Sequence, residues 1–230
     1  MNGPAIAVMA RVPEAGKVKT RMQPVLSPER CASLYNAFLG DAIDLSMSIQ
    51  DVAHFLSFTP VEGRHILERL VPPGIELIPQ AGQDLGSVMD GLMKALFARG
   101  YLPVVVVGSD IPALQPRALR CALALLKDCD ICLGPSRDGG YYLVGARKPV
   151  SAIFQGIPWS TPRVLELTLQ KAALAGLKTA LLEELEDVDT IEELKSLEKD
   201  IISLRGEPGA RIPVRTETWL KNSRISSKQP

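Results

Sequence analysis

Short apolar runs and stretches of helical spacing follow one another in turn along this chain. The runs at Ala5–Ala10, Val104–Val107 and Ile131–Leu133 read as strands. The four unbroken valines read as a strand buried on both faces, as in the centre of a parallel sheet. Between such runs, apolar residues recur at helical intervals, as at Leu34, Ala37, Phe38, Ala42 and Leu45. The pattern predicts strands over 4–10, 51–58, 75–79, 102–108, 131–135 and 141–146, with a short one near 179–182. It predicts helices from about 28 to 45 and over 62–70, 85–99, 115–127, 161–175 and 190–203. Ser27 is a cap for the first helix and Pro28 suits its first position. Gly100 stops the third, and Asp189 or Thr190 caps the sixth. Strands alternating with helices imply an α/β fold with a doubly wound, mostly parallel sheet. The turn Asp138-Gly139-Gly140 is too short for a helical crossover, so the sheet is mixed, with one antiparallel strand.

The 230 residues suit one domain, taken as 1–205, followed by a basic tail over 206–230 that is expected to be partly disordered. A short helix is expected in that tail around 216–221. Basic and acidic residues balance at 26 each, which gives no support for a nucleic-acid partner. The first apolar run is short and meets Arg11 at once, so it reads as a strand and not a leader. No run approaches the ~20 apolar residues of a membrane span. A soluble, cytoplasmic protein is the expectation. The pair Cys129/Cys132 has no second pair to complete a metal site and reads as buried free thiols. His54 and His65 lie away from every motif, so a histidine-based triad is excluded as the working reading. Chemistry here must run on carboxylates, lysine, arginine and a metal.

Six segments carry candidate chemistry. After the first strand, Arg11 to Arg21 sets Lys17, Lys19 and Arg21 on a loop made pliable by Gly16, which suits the oxygens of a di- or triphosphate. The alternative is a solvated basic loop, and the P-loop spacing is absent. Asp110 ends the valine strand, at the sheet edge where open α/β sheets bind ligands. It is either a ligand to Mg²⁺ or Mn²⁺ or a turn or cap residue ahead of Pro112. Gln80, Gly82 and Asp84 form a polar loop able to approach a base or ribose, or to cap the next helix. Asp187 and Asp189, two apart in extended chain, face the same way and can reach one cation, unless one caps the last long helix. On the hairpin, Asp138 with Gly139 and Gly140 is either a turn or a base held close to substrate. Trp159 beside Ser160 and Thr161 is either core or a substrate platform.

In order along residues 5–200, these segments resemble the MobA-like nucleotidyl- and glycosyltransferases of GT-A fold. The motifs are Pro13-x-x-Gly16-x-Val18-Lys19-Thr20-Arg21, Gln80-x-Gly82-x-Asp84-Leu85-Gly86, Gly108-Ser109-Asp110-x-Pro112, Gly134-Pro135-x-x-Asp138-Gly139-Gly140-Tyr141-Tyr142-Leu143, Trp159-Ser160-Thr161 and Asp187-x-Asp189-Thr190. They are most similar to the bacterial nucleotide-diphospho-sugar transferase family also grouped as DUF2064 or arsenosugar-biosynthesis-type glycosyltransferases. One departure is Val88, where the family pattern has arginine before methionine. The resemblance implies a glycosyltransferase that binds a nucleotide diphosphate sugar with Mg²⁺ or Mn²⁺ and transfers the sugar to a small-molecule acceptor. Arg11, Lys17, Lys19, Arg21, Gln80, Gly82 and Asp84 would bind the nucleotide. Asp110, Asp187 and Asp189 would hold the metal, and Asp138, Gly139, Gly140 and Trp159 would face the acceptor. Asp138 is the candidate base, and Asp110 shares the catalytic role through the metal. The rival on the same fold is a nucleotidyltransferase, MobA- or phospholactate guanylyltransferase-like, that releases pyrophosphate from an NTP. A third reading is a nucleotide-binding regulatory module without turnover.

Overall fold

The structure, a computed structural model, describes residues 2–223. The tail residues 224–230 lie outside them. Seven strands form one sheet: β1 (Ala5–Arg11), β2 (Ala53–Thr59), β3 (Ile75–Pro79), β4 (Val104–Gly108), β5 (Ile131–Pro135), β6 (Tyr141–Ala146) and β7 (Thr179–Leu181). Their order across the sheet is β3-β2-β1-β4-β6-β5-β7. β6 runs antiparallel to both its neighbours, β4 and β5, and the other pairings are parallel. The expected α/β sheet with one antiparallel strand is what is found.

Among the described residues, seven helices accompany the strands: α1 (Pro28–Met47), α2 (Arg64–Leu67), α3 (Leu85–Ala98), α4 (Pro116–Leu125), α5 (Val164–Leu174), α6 (Ile191–Leu204) and α7 (Val214–Ser223). Alternation in β1 sorts the two faces. Ile6 and Val8 pack with Leu39 and Ile43 of α1 and Leu119 of α4. Ala5 and Ala7 meet Met89, Leu92 and Met93 of α3 on the opposite face. Val104 to Val107 of β4 divide between the same two cores and are all buried. Both faces of the sheet are thus covered, as parallel sheets require.

Three helices differ from expectation. The second is reduced to a 3-10 turn over Val61–Gly63 and the single turn of α2, where only Leu67 gives the helix a fully buried anchor. The fifth starts at Val164 and not at 161, because residues 161–163 form a turn in which Arg163, at φ −102° and ψ 3°, departs from helical geometry. In the carboxyl-terminal segment, α7 begins earlier and ends later than the short helix expected there. It packs against α1 and α6 through Leu220. The carboxylate of Asp41, on α1, accepts from Arg215 N at 3.1 Å and Thr216 N at 2.8 Å, capping α7 from another helix.

The remote edge of the sheet is tied by Asp130, just before β5. It accepts from Lys148 Nζ at 2.9 Å, Lys178 N at 3.0 Å and Arg147 Nε at 3.0 Å. These contacts, Lys148 first, hold its carboxyl down to about 2. A carboxylate depressed in the folded state stabilises fully above its ordinary range and loses that contribution as pH falls through the folded value. Asp130→Asn is therefore expected to lower the urea midpoint at pH 7, with the difference from the parent protein shrinking between pH 4 and pH 2. A difference that stays constant across that range would mean the contacts do not act through charge.

Chain order reverses between β1 and β4. From β1 the chain builds outward through β2 and β3, then returns to place β4 on the other side of β1. The carboxyl ends of β1 and β4 therefore border a topological switch point, where open α/β sheets bind ligands.

Candidate functional site

A cavity of about 640 Å³ opens at that switch point, a size that suits a small-molecule ligand. Three walls converge on it. The loop after β1 contributes Arg11, Lys17, Lys19 and Arg21. Asp110 comes from the end of β4, Asp138 from the β5–β6 hairpin, and Asp187 and Asp189 from the segment before α6. Leu85 and Met89 of α3, Tyr141, Trp159 and Val164 supply an apolar wall.

Sequence placed eleven of these residues at the site: Arg11, Lys17, Lys19, Arg21, Gln80, Asp110, Asp138, Gly140, Trp159, Asp187 and Asp189 all line the cavity. Gly82, Asp84 and Gly139 do not, and each has a local structural role. Asp84 caps α3, accepting from Ser87 N at 2.7 Å. Gly82 holds a φ of 154° against the same turn. Gly139 has a φ of 87°, and a Cβ there would lie 2.1 Å from the carbonyl oxygen of Pro162. Gln80 lines the cavity, but its amide nitrogen already donates to the carbonyls of Ser57 at 2.9 Å and Ala10 at 3.3 Å. It pins the ends of β1 and β2 and leaves only its oxygen for a ligand.

Lys19 is held differently from the other cations of its loop. The sequence reading puts its ammonium on phosphates, yet its side chain is 3% exposed and turned toward carboxylates. It pairs with Asp110 and, at 2.9 Å, with Asp189. The physical reason is its backbone, at φ 48° and ψ 42°, which directs the side chain inward over Tyr35 and Phe38. Burial opposes its charge, but the two carboxylates more than offset that and its pKa is raised. Arg11, Lys17 and Arg21 remain exposed. Arg21 also lies 3.5 Å from the second oxygen of Asp189.

Asp189 is free to make these contacts because it does not cap α6. Thr190 does, accepting from Glu193 N at 3.3 Å, while Glu193 Oε2 accepts from the backbone nitrogens of Asp189 and Thr190. Val188 N donates to Asp110 O at 3.0 Å, fixing the two acidic segments to each other. Asp187 has no ion-pair partner among the described residues. Burial first, then the facing charges of Asp138, Asp189 and Asp110, push its carboxyl up to about 6. Asp138 is thus close enough to act on the other carboxylates of the cavity. One of its oxygens accepts from Ser136 Oγ and, at 2.8 Å, from Gly140 N, which leaves the other for the cavity.

Tyr35 was missed in sequence. Tyr35, on α1, accepts from Arg11 N at 2.9 Å and shares a 2.8 Å hydrogen bond with Ser109 Oγ, joining the ends of β1 and β4. Burial raises its hydroxyl to about 12. The signal for it was an aromatic with a polar tip on the buried side of a helix, since such a tip needs a partner. Trp159 packs its indole on Gly86, where a Cβ would come within 2.6 Å of the ring, and meets the edge of Tyr141 at 6.2 Å. Among the three non-glycine residues with positive φ in the described chain, two, Lys19 and Ser160, line the cavity. Strain of that kind persists where surrounding structure imposes it, and it clusters at ligand sites.

Among the described residues, no three His, Cys, Asp or Glu side chains converge as a ready-made metal centre. The donor set nonetheless fits a hard divalent cation. Its ligands are carboxylate oxygens, they repel one another at Asp187, and Mg²⁺-type ions are commonly held by one or two carboxylates plus substrate phosphates.

The DUF2064 family, described as an uncharacterized protein conserved in bacteria, matches residues 44–161. A crystal structure of a candidate nucleotide-diphospho-sugar transferase from Desulfovibrio desulfuricans G20 is 30% identical over 96% of this chain and 95% of that one, with a TM-score of 0.87. CMP:2-keto-3-deoxy-manno-octonic acid synthetase complexed with CTP shares the fold at 13% identity and a TM-score of 0.57, over 90% and 100% of the two chains. Rv0371c of Mycobacterium tuberculosis H37Rv, complexed with manganese, does so at 13% identity and a TM-score of 0.51, over 86% and 98%. A search among curated proteins gives no match.

Proposed function

We propose that this chain, which belongs to the DUF2064 family, is a divalent-metal-dependent glycosyltransferase acting on a nucleotide diphosphate sugar. The observation that carries this reading is the charge layout of the cavity. Arg11, Lys17, Lys19 and Arg21 stand against Asp110, Asp138, Asp187 and Asp189, four cations against four carboxylates. One divalent ion and one diphosphate diester keep that lining close to neutral. A triphosphate together with a phosphorylated acceptor, itself of about −2 charge, would leave a large excess of negative charge beside the carboxylates. The layout therefore favours sugar transfer over nucleotidyl transfer to a phosphate ester. The Desulfovibrio protein supports the same substrate class by its description, and the CTP and manganese complexes support a nucleotide and a metal on this fold.

In this reading Lys17, Arg11 and Arg21 hold the diphosphate by charge-assisted hydrogen bonds. Asp110 holds the metal, with Asp187 or Asp189 assisting. A divalent ion held there would supply Lewis-acid stabilisation to the departing nucleoside diphosphate. Asp138 faces the acceptor and takes the proton of its hydroxyl through its free oxygen. Trp159, Tyr141 and Leu85 present an apolar wall to the acceptor and exclude water.

The test is a thermal-shift panel of NDP-sugars and NTPs with and without Mn²⁺, since a bound ligand raises stability by mass action. An NDP-sugar is expected to raise the melting temperature in a Mn²⁺-dependent way, and more than the matching NTP. A shift confined to an NTP would contradict the reading.

A further inference from the structure

The sequence treats Lys19 as one more phosphate-binding cation, but its ammonium is held between two carboxylates. Its side chain, 3% exposed, joins Asp110 to Asp189. Those two carboxylates are among the candidate metal ligands. The pairing is built in. Val18 and Met22, 4% and 0% exposed, anchor the loop on either side. The left-handed backbone at φ 48° carries a cost for any residue but glycine and aims the side chain inward. The ring faces of Tyr35 and Phe38, at 5.9 and 5.4 Å, complete the ammonium's surroundings.

We propose that Lys19 is an internal counter-cation that makes metal capture conditional on nucleotide. The inference rests on the metal–nucleotide reading of this site. A fixed positive charge in contact with both carboxylates weakens their attraction for a second cation. A metal alone therefore binds poorly. A bound nucleotide diphosphate would add negative charge to the site, offset the ammonium, and let metal and nucleotide enter together. Lys19 is in this sense a positioning residue: it orients Asp110 and Asp189 and sets their affinity for the metal.

The test titrates Mn²⁺ alone into the parent protein, Lys19→Met, Lys19→Gln and Lys19→Arg, reading free Mn²⁺ by electron paramagnetic resonance. Circular dichroism confirms folding, and Lys19→Gln stands in if Lys19→Met does not fold. The neutral variant is expected to bind Mn²⁺ about tenfold more tightly than the parent, or better, while Lys19→Arg stays weak. A purely structural role predicts a loss and not a gain. A second arm repeats the titration with UDP, GDP and CDP, which should strengthen Mn²⁺ binding in the parent far more than in the neutral variant. Equal or weaker Mn²⁺ binding by the neutral variant overturns the role of Lys19, and the metal reading survives if the parent still takes Mn²⁺ with nucleotide. No Mn²⁺ binding by any protein in either arm overturns both.

Discussion

Asp110→Asn is expected to abolish the Mn²⁺-dependent part of nucleotide binding and to lower sugar transfer roughly 10²–10³-fold, as removal of one group aimed at developing charge does. The amide keeps the shape of the side chain but removes the charge that a hard cation needs. Lys19 retains Asp189 as a partner at 2.9 Å, so the buried ammonium is not left alone and the fold should persist. Calorimetric titration of a nucleoside diphosphate, with Mn²⁺ and then with EDTA, checks this. Parent and variant should agree in EDTA and diverge with metal. Equal affinities in both conditions would remove Asp110 from the metal site and leave it as a turn residue ahead of Pro112.

The second large effect is expected at Asp138. Asp138→Asn should lower transfer about 10²–10⁴-fold, the usual span for a lost general base, with donor affinity nearly unchanged because a base acts mainly in the transition state. The turn itself should survive, since an asparagine oxygen can still accept from Gly140 N, now at 2.8 Å. Before an acceptor is known, slow Mn²⁺-dependent hydrolysis of the NDP-sugar serves as the readout. A variant that turns over normally would reduce Asp138 to hairpin chemistry.

Much of the fold was legible because its signals are local. β3, β5 and β6 fall where apolar runs meet glycine or proline, and Ser27 and Asp84 cap the helices that follow them. The reversed strand followed from the shortness of one turn. The switch point, and hence the cavity, followed from putting the carboxyl ends of β1 and β4 side by side. What escaped depends on partners distant in the chain. A lysine on a glycine-containing loop reads as solvated, and the carboxylates that hold it inward, Asp110 and Asp189, lie 91 and 170 positions away. Tyr35 acquires its role only when Ser109, 74 positions on, is placed beside it. The choice between Asp189 and Thr190 as the cap of α6 was open until Glu193 paired with both backbone nitrogens. Gly82 and Gly139 fit the motif, but their contribution is to turn the chain, and a motif does not distinguish a residue that touches a ligand from one that bends the backbone beside it.

The central claim is that this site breaks the bond between a sugar and a nucleoside diphosphate. Its most direct test incubates the protein and Mn²⁺ with a panel of NDP-sugars and, separately, with NTPs and sugar phosphates, and quantifies nucleoside diphosphate and pyrophosphate. Release of nucleoside diphosphate from an NDP-sugar, lost in Asp110→Asn and without pyrophosphate from any NTP, is the predicted result. Pyrophosphate released from an NTP, with every NDP-sugar left intact, would contradict the account.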